Sequence, residues 1–119
     1  MTRRAHRKDS NHPAIAARYR QHGCSVMDLA DAGLSVDLLI GCRGIDCLVE
    51  VKDGEKPPSR RRLTTDEQEL HDAWRGRKVR IIEYLDEVDA HVAELRREAN
   101  EGLTRVLEVD CDIPRVDLT

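Results

Sequence analysis

The chain contains no phenylalanine, and its aromatics are limited to Tyr19, Tyr84 and Trp74. A core of Leu, Ile, Val and Ala is therefore expected, and the row of exposed rings that a single-strand binding platform uses is excluded. Cysteine is equally sparse. Cys24, Cys42, Cys47 and Cys111 form no C-x-x-C pair, and His6, His12, His22, His71 and His91 fall at no zinc-site spacing relative to them. Neither a disulfide framework nor a structural zinc is expected. No run approaches the roughly 18 apolar residues of a membrane span, and the basic amino end lacks the apolar stretch of a secretory signal. These absences lead us to expect a soluble cytoplasmic protein with no membrane partner.

What is present is charge. Lys and Arg number 20, Asp and Glu 23, and together they make up 36% of 119 residues, a length suited to one domain. The charges are not mixed evenly. Residues 1–20 hold six basic side chains and one acidic, residues 52–62 five and two, and residues 83–119 four and eleven. A basic first half is the footprint of a polyanion contact, and the acidic end would turn such a partner away.

Pro13 stands where a first helical residue would, and Ile15, Ala16 and Tyr19 recur at helical spacing until Gly23, which predicts a short amphipathic helix. A weaker strand signal covers residues 25–30, with a turn over 31–35. Residues 36–41 and 45–52 are β-prone runs that read as a hairpin. If Arg43 and Gly44 are its two loop residues, Asp37 lies opposite Glu50. One face then carries Leu38, Ile40, Cys42, Ile45, Cys47, Val49 and Val51. The other carries Asp37, Leu39, Gly41, Asp46, Leu48, Glu50 and Lys52. Because both faces have apolar centres, both must be covered, as in an α/β layer architecture. Cys42 and Cys47 meet only diagonally, which disfavours a bridge.

Residues 53–62 form a basic, proline-bearing loop. Thr64 and Glu67 have capping-box spacing at the start of a helix that runs through Leu70, Ala73 and Trp74 to Gly76. Trp74 is assigned to the core, His71 to the solvent-exposed surface, and His12 to the end of the amino-terminal loop. A strand over residues 79–84 and a helix over 86–100 follow. The alternation of Leu107, Val109, Cys111 and Ile113 with Glu108, Asp110 and Asp112 predicts a final half-buried strand.

On the second hairpin face Asp37, Glu50 and Lys52 converge. Two carboxylates from adjacent strands, completed by a backbone carbonyl such as that of Val51 and by waters, suit Mg²⁺ or Mn²⁺. A lysine beside that ion can orient the attacking water, with a phosphodiester as target. Arg60, Arg61 and Arg62 are placed as phosphate contacts. An ordinary cross-strand salt bridge is the plainer explanation of the same three residues.

With Asp37, Glu50-Val51-Lys52 and the order α-β-β-β-α-β, residues 9–93 resemble the PD-(D/E)XK nuclease superfamily. The small phage and bacterial members near the VRR-NUC and Holliday-junction-resolvase-like groups are most similar. The resemblance implies a restriction-endonuclease-like core, a mixed sheet flanked by helices, here with a C-terminal helix and strand extension. It implies that Asp37 and Glu50 hold the metal, that Lys52 assists the water, and that Gln68 orders phosphate or water. It also implies a first-helix residue near the metal, for which Asn11 or Asp9 is nearest; Asn11 is grouped with the nucleic-acid contacts. Val36 stands where the eponymous proline would be, and residues 79–83 lack a V-R-R pattern.

The expected organisation is a basic arm (1–9), a nuclease core (10–93) and an extension (94–119). The expected activity is metal-dependent DNA endonuclease cleavage, possible at branched or structured DNA, in a bacterial or phage-infected cell. A catalytically inactive module of the same fold, binding nucleic acid or a protein, is the alternative, and a structural protein exposing an acidic tail strand is a third. Residues 86–113 are expected to form a homodimer contact, because their apolar stripe needs cover.

Overall fold

The computed structural model describes the backbone of residues 8–112 and the side chains of residues 8–102. Helix α1 (His12–Gln21) carries Pro13 in its first turn, where the missing N–H is one the helix would leave unpaired anyway. It ends at Gly23, whose φ of 85° turns the chain into strand β1 (Ser25–Asp28). Strands β2 (Leu38–Cys42) and β3 (Ile45–Val51) form the expected hairpin. Leu38 pairs with Val49 and Cys42 with Ile45, the register derived from a two-residue loop. Arg43 and Gly44 both adopt positive φ, 53° and 82°, the left-handed pair of a type I′ turn.

A 3-10 turn (Pro58–Arg60) interrupts the basic loop. Helix α2 (Thr65–Ala73) then carries the chain across to strand β4 (Arg80–Ile82), which pairs with β3 in parallel. Only such a crossover can join parallel neighbours. The four strands lie in the order β1-β2-β3-β4, antiparallel except for the last pair. The fold is thus α/β with a mixed sheet flanked by helices.

Both sheet faces are covered, as the alternation requires. Leu38, Ile40, Cys42, Cys47, Val49 and Val51 pack against Ile15, Ala16 and Tyr19 of α1. Val88, Val92 and Leu95 of helix α3 (Leu85–Asp112) complete that layer. On the opposite face Val36, Leu48 and Val79 receive Leu39 and Leu70, so α2 covers the side on which Asp37, Glu50 and Lys52 lie. The thiols of Cys24, Cys42 and Cys47 are free and buried.

The tail corrects one expectation. Residues 107–112 belong to α3, not to a strand; Ile113, the last residue of the expected strand, lies outside the described residues, as do residues 1–7 of the expected arm. Leu103, Val106 and Leu107 continue the helical spacing of Val92, Leu95 and Ala99, so two periods coexist in the sequence. Extending a formed helix costs far less than starting a strand with no neighbour to pair with. Helix α3 therefore passes unbroken through residue 93, where the extension was expected to begin. No helix among the described residues is long and apolar enough to cross a membrane.

Candidate metal centre

Asp37 immediately precedes β2 and is buried, with Oδ2 accepting the Val51 N–H at 2.7 Å. That bond closes the open end of the hairpin, because the backbone ladder stops at the Leu38–Val49 pair. In a strand the N–H and C=O of one residue point the same way, so the Val51 carbonyl is directed toward the Asp37 side. Glu50 is fully buried on β3, where no ordinary donor group reaches its carboxyl oxygens and the Glu67 carboxyl is its hydrogen-bonding neighbour. Lys52 is tied to β4 by its own N–H, which donates to the Ile82 carbonyl at 2.9 Å. Its side chain is buried and its Nζ donates to Glu67 Oε1 at 2.7 Å.

Glu67 is the residue that sequence reasoning assigned only a capping role. The capping box does form: the Glu67 N–H donates to Thr64 Oγ1, and Glu67 Oε1 accepts the Thr64 N–H at 2.8 Å. The same Oε1 accepts Lys52 Nζ, so one atom both starts α2 and fixes the lysine. Gln68, expected at the site, points outward and donates to Asp72 at 2.8 Å. One helical residue rotates the side chain by about 100°, and Glu67 occupies the inward direction.

The cluster therefore gathers Asp37, Glu50, Glu67 and one ammonium away from water. Burial, the adjoining Glu67 carboxylate and the Asp37 charge all push the Glu50 carboxyl far above the usual range. Burial alone would raise Glu67 as well. Its contacts with Glu50, with Lys52 and with the Thr64 N–H outweigh that, and hold it down at about 2. Within this pair Glu50 is pushed up and Glu67 down.

His12 is the second residue that the sequence did not reveal. Rather than ending a loop it opens α1, is 1% exposed, and hydrogen-bonds through Nε2 to Asp28 Oδ2 at 3.0 Å. Burial works against the Asp28 charge, but Lys8, the Asp31 N–H and His12 together hold its pKa below the usual value. An ionised carboxylate can only accept, so Nε2 carries the proton. His12 Nδ1 lies 3.8 Å from Asp37 Oδ1 and has no hydrogen-bond partner. This is the arrangement in which a carboxylate orients an imidazole toward a cation.

The remaining expected residues fall outside the cluster. The Asn11 amide donates to the carbonyls of Lys52 and Glu83 at 3.0 and 3.2 Å, stitching β3 to β4 where their ladder ends. Asp9 pairs with Lys56 at 2.9 Å. Arg60 and Arg62 are exposed, while Arg61 is held by Glu83 at 2.6 Å. His71 is half-buried rather than exposed; its pKa is lowered, first by burial, with Glu67 and Lys52 among the charges it feels. Trp74 is 46% exposed and not in the core, because it caps α2 beyond the helix's last buried turn.

Among the described residues no three His, Cys, Asp or Glu side chains form a group that could hold a metal ion. Mg²⁺ needs fewer, since it keeps several waters and binds through one or two carboxylates. The buried Glu50 carboxyl, reached by no ordinary donor and set beside Asp37 and Glu67, matches that need for compensation. Comparison with protein-family models, with curated proteins and with solved structures gives no match.

Proposed function

We propose that the chain is a Mg²⁺- or Mn²⁺-dependent nuclease that hydrolyses DNA phosphodiester bonds on a restriction-endonuclease-like core. The observation that carries this reading is Glu50, a buried carboxylate without a donor, set between Asp37 and the Lys52–Glu67 pair. Such an arrangement is costly without a counter-cation. Asp37 and Glu50 would hold the ion, with the Val51 carbonyl as the adjoining donor. When bound, the ion supplies Lewis acidity toward a phosphate oxygen.

The residues of the chain do the rest. Lys52, fixed by Glu67, orients the attacking water and offsets negative charge that builds on the phosphorus oxygens. The water oxygen bonds to phosphorus as the bond to the 3′ oxygen breaks. The water's proton leaves to solvent and the departing oxygen takes one up, giving 5′-phosphate and 3′-hydroxyl ends. Arg60 and Arg62, both exposed, would contact the phosphates.

Cleavage of plasmid, linear and branched DNA with Mg²⁺ or Mn²⁺ tests the reading. Asp37→Ala and Glu50→Ala should each abolish cleavage with the fold retained. Lys52→Ala should slow turnover by about 10²-fold or more at unchanged metal affinity. DNA binding without cleavage by any wild-type preparation would instead support the inactive module.

A further inference from the structure

Glu67, His71 and Trp74 stand at positions i, i+4 and i+7 of α2, one stripe of the helix. Glu67 is buried against Lys52, His71 is half-buried and Trp74 is exposed, so the stripe climbs from the acidic cluster to the surface. Seven residues at 1.5 Å each put the Trp74 backbone about 10 Å along the helix from that of Glu67. The Trp74 backbone N–H donates to the Leu70 carbonyl at 2.9 Å, and the indole ring lies on Gly76. A Cβ at Gly76 would come within 2.8 Å of the indole Nε1, so glycine there lets the ring lie down and leaves part of it open.

The residues that follow Trp74 in the chain are basic, with Asp72 two residues before it. From residue 73 to 82 the chain has Arg75, Arg77, Lys78 and Arg80 and no acidic residue. Arg77 and Arg80 are paired with Glu98 and Glu94 of α3. Arg75 and Lys78 are exposed and make no ion pair with another described residue. An exposed aromatic ring followed in the chain by exposed cations suits a nucleobase and its phosphates better than a protein surface, whose apolar contacts would bury those cations.

We infer that Trp74, flanked by Arg75 and Lys78, stacks on an unpaired base of DNA held near the acidic cluster. The inference rests on the nuclease reading and narrows its substrate to DNA with a single-stranded flap, gap or branch beside the cut site. Inside a duplex every base is already stacked on both faces, so a blunt duplex offers the ring no unpaired base, only the outer faces of its two terminal pairs.

Trp74 is the chain's lone tryptophan, so its fluorescence reports on this contact directly. In EDTA, labelled flap duplex and single-stranded oligonucleotide should quench the indole, and blunt duplex of the same sequence should quench it far less. By fluorescence anisotropy, Trp74→Ala should bind the flap about tenfold more weakly and the blunt duplex unchanged, with Trp74→Tyr recovering much of the loss. Arg75→Ala with Lys78→Ala should weaken both substrates. Equal quenching by blunt duplex, a silent indole on bound flap, or unchanged affinity in Trp74→Ala overturns the inference; a silent indole would return the patch to a protein partner. Cleavage by a protein whose indole stays silent leaves the nuclease reading standing, whereas quenching by flap without cleavage in Mg²⁺ or Mn²⁺ removes that reading and keeps the stacking surface.

Discussion

A carboxyl group placed as Glu50 is, with burial and two carboxylates around it, holds its proton through neutral pH. In the unfolded chain the same group ionises near pH 4.3. The raised folded-state pKa therefore favours folding fully only below that value and works against it as pH rises. Glu50→Gln should raise the melting temperature of the metal-free protein at pH 8 by roughly 5 °C, with the gain vanishing near pH 4, as thermal denaturation across pH would register. A variant no more stable than the parent at pH 8 would mean that Glu50 is not strained. At this scale the sequence was partly legible. Asp37, Glu50 and Lys52 could be placed together because strand alternation and a two-residue turn leave one register. Glu67 and His12 were hidden because their partners are remote in sequence: nothing local to a capping box or to an Asn-His-Pro step says which buried group it will meet. Gln68 and Trp74 were misplaced by the angular error that single residues on a short helix invite.

Between elements, turn chemistry and buried hydrogen bonds decide. Arg43 occupies a left-handed conformation in the β2–β3 turn, which asparagine adopts more readily. Arg43→Asn should therefore stabilise the protein by about 0.5–1 kcal/mol in urea denaturation. No gain would imply that the arginine side chain makes a compensating contact. Where α3 crosses α1, the Tyr19 hydroxyl and His91 Nδ1 lie 2.7 Å apart in the core. Burial, with Arg80 and Arg77 nearby, lowers His91 to about 4. The unfolded chain takes up that proton near pH 6.5, so stability present above 6.5 is lost as pH falls toward 4. His91→Gln should flatten the fall between pH 6.5 and 4, and an equally steep decline would place the acid sensitivity elsewhere. The element order and hairpin register were legible because period and turn residues agree. The end of α3 was not: its apolar residues satisfy a period of 2 and one of 3.6 together, and only an already formed helix settles the choice.

Among the described residues α3 is the longest element, 28 residues or about 42 Å, and its first turns supply Val88, Val92 and Leu95 to the core. We propose that its remainder pairs with a second copy, as the apolar stripe in the sequence suggested. Sedimentation equilibrium of the full chain and of a chain ending at Asn100 tests this: the first should be dimeric at micromolar concentration and the second monomeric. A monomeric full chain defeats the proposal. The topology of the sheet bears on time as well as on space. Asp37, Glu50 and Lys52 all belong to one hairpin closed by two residues, whereas β4 reaches β3 only through the α2 crossover, and Glu67 arrives with that crossover. Local pairings close before distant ones, since the chain gives up less freedom to make them. The two carboxylates thus come together while Glu67 is still elsewhere, and their mutual repulsion falls on the barrier to folding. Mg²⁺ or Mn²⁺ should accordingly speed refolding in stopped-flow experiments, and Asp37→Ala should remove the acceleration. An ion that only slows unfolding would mean that the acidic pair meets after the barrier has been crossed.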